Sequence, residues 1–376
     1  MTIGRFFLAA SLALLVFFGN SRTVHDTFNR LGTFDYFFAP LLSLYLVSVL
    51  ERILDRLSVI SSIENYLADR NLTRLSYAFI PGLIGLIPSI GGAHFACSMF
   101  PSSAGKKLSG CQLAAINYFF RHFHVYSNPL ITGTVLACAI TNTSLWFVSL
   151  TLLPLTLLTF LLGWKFLIPS SKKYSKETGH SIKSSMSLKI ILVFVSIFIE
   201  TLIFFLLDIK IFFWLATVIF TLALVSPQTV WKAFKPSKDN LFLLSEVAFI
   251  LIFAAVINSL GINQLLTNFI YSSGVPTVLT FSLVTVFLAY ITGISQAYVA
   301  IVMPLIVGLT GNQFNLVCWL LALGFFIQYL TPAHLCLIVC AKYFKCSAFR
   351  LIQQIFPPVA LAFLLWSLGF LAFCLF

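Results

Sequence analysis

Arg121 sits inside the segment NYFFRHFHVYSNP, residues 117 to 129, among aromatic and apolar neighbours. A guanidinium in such surroundings must be paired, so it either meets an anion through charge-assisted hydrogen bonds or clamps a group of its own protein. Glu200, Glu246 and the carbonyls of a nearby hairpin are the internal candidates, and snorkelling to the surface is the plain alternative. Asn117 and His122 share the segment. The run PGLIGLIPSIGGAHFACSMFP, 81 to 101, holds a second group. There Gly91 and Gly92 can present free amides to an anion at the start of a returning helix, flanked by Ser89, Ala93 and His94. Glycine also simply permits a tight turn, and both uses are compatible.

Two further segments offer oxygen ligands. TGISQAYVAIVMP, 292 to 304, contributes Thr292, Gly293, Ser295 and Gln296, and FFIQYLTPAH, 325 to 334, contributes Gln328, Thr331 and His334. Hydroxyl and amide oxygens with unwound carbonyls suit a coupling cation such as sodium. The plain reading is hydrogen bonding between helices, worth about 1 kcal/mol each. The histidines at 94, 122, 124 and 334 invite a metal. However, His122 and His124 point about 200° apart on a helix and cannot grip one ion together. No HExxH and no matched Cys/His spacing occurs, so no metal and no organic cofactor is expected. Hydrogen bonding in a polar cavity is the expected role, with His94 and His334 able to exchange a coupling proton near neutral pH. The eight cysteines show no CxxC and no disulfide-like spacing, and read as small apolar residues.

These groups must be positioned by apolar helices. Hydrophobic residues make up 60% of the 376-residue chain, charged residues 9%, and the mean hydropathy is +1.01. So few charges cannot cover a water-soluble globule. The net charge of +12 is confined to short loops, without a basic stripe, which excludes nucleic acid as a partner and leaves the lipid bilayer. Full spans are expected near 6–19, 36–50, 112–140, 145–168, 189–207, 211–226, 241–258, 313–340 and 352–374. The first is expected to be a retained span, since no small-x-small cleavage site follows it.

Two interrupted stretches, 75–100 and 277–306, pose the topological question. If both enter and return, Arg52, Arg56, Lys106, Lys107, Lys172, Lys173, Lys232, Lys235, Lys342, Lys345 and Arg350 all face the cytoplasm, and Arg22, Arg30 and Lys210 stay outside. Letting either stretch cross moves lysine-rich segments outside, against the positive-inside bias. The predicted fold is an all-α polytopic membrane protein of about nine spans and two re-entrant hairpins, N-terminus cytoplasmic and C-terminus outside. It divides into a first repeat, 1–168, with a cytoplasmic hairpin; a basic linker and linking span, 169–210; and an inverted second repeat, 211–376, with an external hairpin. Glu200, in the linking span, is expected to serve packing or a homodimer contact.

PGLIGLIP followed by GGAxF, NYFFRH with the downstream NPL, TGI with MPL, and TPAHLCL resemble, in order and spacing, the domain of unknown function 401 family of the ion transporter superfamily. The chain departs from that pattern at Ser89 and Ile90, where the family carries Met-Pro, at His94, and at His124 and Val125, where it carries tryptophan and glutamate. The resemblance implies an inner-membrane, inverted-repeat transporter with elevator-like motion, and implies no substrate. Paired broken helices point the same way, to a secondary, ion-coupled transporter of a small polar solute, an anion favoured. The competing classes are an intramembrane protease or lipid-modifying enzyme, which lacks a GxSG, paired aspartates or HExxH, and a passive channel. No GxxxxGK[ST] loop supports ATP-driven transport.

Overall fold

A segment surrounded by hydrocarbon has no water to satisfy its peptide groups, so it must close its own hydrogen bonds as a helix. The computed structural model describes residues 3–57, 73–86, 96–97, 108–169, 199–307 and 313–375, apart from 205, 208, 237, 263–264, 266–267, 269–271 and 273. Among the described residues the regular structure is helical throughout, with no strand. The helices are α1 Ile3–Phe18, α2 Ser21–Gly32, α3 Ala39–Arg56, α4 Thr73–Leu86, α5 Gly110–His122, α6 Thr132–Thr141 and α7 Leu145–Leu167. They continue as α8 Ile211–Val225, α9 Pro227–Ala233, α10 Lys238–Ser259, α11 Thr277–Thr292, α12 Ser295–Ile306, α13 Gln313–Leu330, α14 Leu335–Tyr343 and α15 Ala348–Leu375. A π-helical turn, Phe34–Phe38, leads into α3.

Five helical stretches among the described residues are long and apolar enough to cross a membrane: Phe34–Leu54, Leu145–Leu167, Asn240–Ser259, Phe314–Tyr343 and Ala348–Ala372. The expected spans at 6–19 and 211–226 correspond to the shorter apolar helices α1 and α8. The expected span 189–207 lies largely outside the described residues, as does the tip of the first interrupted stretch. Two helices occupy stretches read as loops. α2 starts where the Asn20 side chain accepts the Thr23 N–H at 2.8 Å, a cap that nucleates a short polar helix. α9 starts at Pro227, whose fixed φ suits a first turn.

The distribution of side chains is that of a membrane protein. Leu161, Phe220, Phe287 and Leu364 are more than half exposed, whereas Asn117, Arg121, Thr134 and Thr331 are buried. One apolar core joins α5, α6 and α7 with α10 to α15 and reaches Leu44 of α3 and Tyr77 of α4; a second joins α3, α8 and α9 around Trp146 and Trp214, and a small third joins Ile80, Ile84 and Ala96. Glu200 Oε1 accepts the Thr221 hydroxyl of α8 at 2.6 Å, while its Oε2 is buried without a partner among the described residues.

The cysteine reading needs correction. Cys111 at the start of α5 and Cys346 after α14 form a disulfide, with Cα atoms 4.9 Å apart. A separation of 235 residues carries no recognisable spacing; the pair meets because Gly110 packs against the Phe344 carbonyl, where a Cβ would not fit.

Candidate functional site

Three helix breaks converge. The first follows α5, whose N-terminus is fixed by a capping box between Ser109 and Gln112. After His122 the chain turns, with the Val125 N–H bonding the His122 carbonyl at 2.9 Å. Pro129 has no N–H to continue the helical ladder, and the Asn128 side-chain oxygen accepts the next N–H, that of Leu130, at 2.9 Å before α6 resumes. The second break separates α11 from α12, where Gly293 adopts φ +62°. The third lies between α13 and α14, at Thr331–His334.

Close backbone approach locks the breaks together. A Cβ on Gly293 would lie 2.6 Å from the Ala333 carbonyl carbon and the His334 nitrogen, and one on Gly133 would lie 2.6 Å from the Ser295 Cβ. The α11–α12 turn therefore fits between α6 and the third break only because both glycines lack side chains. Polar contacts follow the same seam. The Thr331 hydroxyl donates to the Tyr290 carbonyl at 2.6 Å and accepts the Ala333 N–H at 3.1 Å. The His334 Nδ1 lies 2.8 Å from the Gly293 carbonyl oxygen.

From the first break, His122 reaches the same place. Its Nε2 stands 3.3 Å from the Nε2 of His334, and its Nδ1 is 2.8 Å from the Tyr118 carbonyl oxygen. Arg121 is buried, with one terminal nitrogen donating to the Cys336 Sγ at 3.2 Å and its Nε without a partner among the described residues. Neither Glu200 nor Glu246 pairs with it, so the internal carboxylate partners considered from sequence are not used. The first interrupted stretch touches the site from the other side. α4 presses Gly85 against the Arg121 carbonyl, and the Asn117 amide donates to the Ala96 carbonyl at 2.7 Å.

Of the residues singled out from sequence, Asn117, Arg121, His122, Thr292, Gly293, Ser295, Gln296, Thr331 and His334 gather around these breaks. Ser89, Gly91, Gly92, Ala93 and His94 lie outside the described residues. Two of the gathered residues are partly committed elsewhere. The Thr292 hydroxyl donates back to Leu288 at 2.7 Å, closing its own helix, and the Ser295 hydroxyl donates to the Gln296 Oε1 at 3.3 Å. His124 is buried in the turn that follows α5, with its Nδ1 3.5 Å from the Asn128 amide nitrogen.

Sequence reasoning missed Cys336, which enters the site two residues beyond His334. It also missed the tyrosines that join α5 to α13. The Tyr118 hydroxyl donates to the Tyr329 carbonyl at 3.0 Å, and the Tyr329 hydroxyl donates to the Phe119 carbonyl. The signal was the Tyr after an amide, Asn117-Tyr118 and Gln328-Tyr329, in the two aromatic segments. Elsewhere a cavity of about 420 Å³ opens between Asp35, Asn142, Trp146 and Lys210, lined in part by Val135 and Cys138 of α6 and by none of the residues gathered at the breaks.

The fold is that of a known solved structure. The chain superimposes on the YdaH transporter of Alcanivorax borkumensis, whose crystal structure is described as having an unusual topology, with a TM-score of 0.60. Identity is 14%, over 98% of this chain and 96% of that one. No curated protein of known function matches the sequence significantly. The profile of the family described as “Protein of unknown function (DUF401)” matches residues 46–373, and the chain belongs to that family.

Proposed function

We propose that the chain is a secondary transporter of a small polar solute, an anion favoured, working by alternating access in the inner membrane. One observation carries the reading: the Gly293 turn meets two other helix breaks beside a buried Arg121 that has no carboxylate partner among the described residues. Broken backbone at membrane depth persists only against protein or a water-lined path, and its free helix ends direct dipoles at a solute. A buried cation with no carboxylate beside such ends favours negative charge.

Contacts between loops support two hairpins that enter and return. With the expected spans, a returning first stretch puts Asp35 and Lys210 on one face, in keeping with their ion pair. The Arg52 Nε bond to the Ala233 carbonyl, 2.7 Å, favours the same parity. The Cys111–Cys346 bond favours a returning second stretch as well. At about 1.5 Å per residue, α11 and α12 rise roughly 24 and 18 Å, short of the roughly 30 Å hydrocarbon core. The exchanged Tyr118 and Tyr329 bonds support an inverted repeat of 1–168 and 211–376 about the linking segment 169–210.

The two larger apolar cores suit an elevator motion, in which the body holding the breaks slides against α3, α8 and α9; Glu200, the residue assigned to packing or a homodimer contact, bonds Thr221 of α8. Sodium or a proton is the proposed coupling ion. The test is uptake into proteoliposomes under imposed sodium, proton and potential gradients, screening anions against neutral and cationic solutes. Arg121→Gln is expected to weaken the apparent affinity for the anion by about 10- to 100-fold, the worth of a hydrogen bond to a charged group. Undiminished anion uptake in that variant would displace the site. Turnover of a lipid or peptide without any uptake would replace transport by an enzymatic reading.

A further inference from the structure

The two histidines turn lone pairs towards one another beside a cysteine sulfur, an arrangement that a bound cation would join. A carbonyl oxygen accepts and never donates. His122 Nδ1 at 2.8 Å from the Tyr118 oxygen, and His334 Nδ1 at 2.8 Å from the Gly293 oxygen, therefore both carry the ring proton, the Gln328 amide nitrogen lying farther from His334 Nδ1 at 3.4 Å. Each neutral imidazole is then left with a bare lone pair on Nε2, and the two Nε2 atoms face each other at 3.3 Å. Two acceptors at that distance repel unless something positive stands between them. The third member of the group is Cys336: its sulfur and the two ring nitrogens all lie within 4.8 Å of one another.

We propose that His122 Nε2, His334 Nε2 and Cys336 Sγ form a binding site for a single zinc-class transition-metal ion. Two nitrogens bound to one tetrahedral metal at about 2.0–2.1 Å stand about 3.3–3.4 Å apart, which matches the separation observed. Imidazole and thiolate together select a borderline-soft ion over magnesium, calcium or manganese. The surroundings are those of a built site. Both rings donate their far N–H to a backbone carbonyl, the usual device that fixes the tautomer of a metal-binding histidine. Cys336 lies in the first turn of α14, where the helix dipole favours a thiolate, and the Arg121 guanidinium donates to its sulfur at 3.2 Å. All three ligands are half-buried, so an ion can enter.

Three ligands leave one corner of the tetrahedron open. The metal and Arg121 together exceed the thiolate in charge, so the open corner takes water or an anion. The ligands come from two different breaks, which explains why no spacing in the sequence disclosed them. Nothing in this inference depends on transport, because the ion is measured on protein in detergent with no solute present.

The test uses the full chain purified in detergent, stripped with a chelator and offered Co²⁺ as the spectroscopic stand-in for Zn²⁺. One Co²⁺ per chain is expected after gel filtration, with a thiolate-to-cobalt charge-transfer band that stoichiometric Zn²⁺ abolishes and Mg²⁺ leaves alone. Cys336→Ser should lose that band. His334→Asn should weaken binding at least about 100-fold, since even a metal ligand's hydrogen-bond partner is worth 10- to 100-fold. Cys138→Ser, at a buried cysteine elsewhere, should change neither. Melting temperature supplies the readout that survives a poorly folding variant: Zn²⁺ should raise that of the unaltered chain and Mg²⁺ should not. A chain that retains no Co²⁺, or a band that persists in Cys336→Ser, would overturn the site and leave the histidines sharing a proton.

Discussion

At the scale of single residues, glycine at 293 does two separable things. It holds φ at +62°, and it lets the backbone turn lie against Ala333 and His334. Gly274 supplies the comparison, because it holds φ +71° with no atom within 4 Å of the point a Cβ would occupy. Alanine at 274 should cost only the left-handed conformation, about 1–2 kcal/mol. Alanine at 293 should cost that and the displacement of the turn from the third break, about 3 kcal/mol or more in total. Denaturation of both variants in the same detergent measures the difference, and equal losses would mean that the close approach contributes nothing. Transport should fall in Gly293→Ala alone, since only that substitution moves the His334 anchor at Gly293.

At the scale of helices, the exchanged tyrosine bonds make α5 and α13 a single unit. Each Tyr→Phe change leaves a buried carbonyl short of a donor, so Tyr118→Phe and Tyr329→Phe should each destabilise by about 1 kcal/mol. The two hydroxyls span one helix pair, so a double-mutant cycle on melting free energy should show coupling of about 0.5 kcal/mol or more. Strict additivity would mean that the helices do not act together. Much of this level was legible in advance. Pro129 and Pro332 mark the interruptions of α5–α6 and α13–α14, and Gly293 marks the turn between α11 and α12, because each acts through its own backbone. The partner of Arg121 was not legible. It is a cysteine 215 residues away, and the sequence around Cys336 looks like any small apolar stretch. The amphipathic α2 was missed for a different reason: the polar run between two spans has the composition of a loop, and its helical start rests on a side-chain cap at Asn20.

At the scale of the whole molecule, two lines of physical reasoning about sidedness collide at the disulfide. The charge bias puts Lys106, Lys107, Lys342, Lys345 and Arg350 in the cytoplasm, and the Cys111–Cys346 pair lies among them. A cytoplasmic pair is kept as thiols by the cell, whereas a pair on the outer face persists as a disulfide. Cys111 and Cys346 belong to the same packed body, so the bond ties parts that move together and is not a requirement of alternating access. The orientation proposed here therefore predicts free thiols in the living cell and a bond that forms only after lysis in air. Cells quenched in acid, then alkylated with a maleimide polymer, should show both cysteines modified in a chain whose other cysteines are replaced by serine or alanine. An oxidised pair in quenched cells would instead place this face outside, inverting the whole topology while leaving the parity of the two hairpins untouched. Purified oxidised protein should melt higher than the Cys111→Ser variant, by up to about 2–4 kcal/mol of added stability, with uptake unchanged between them. Loss of uptake in that variant would show that the join between α5 and the end of α14 is part of the moving mechanism.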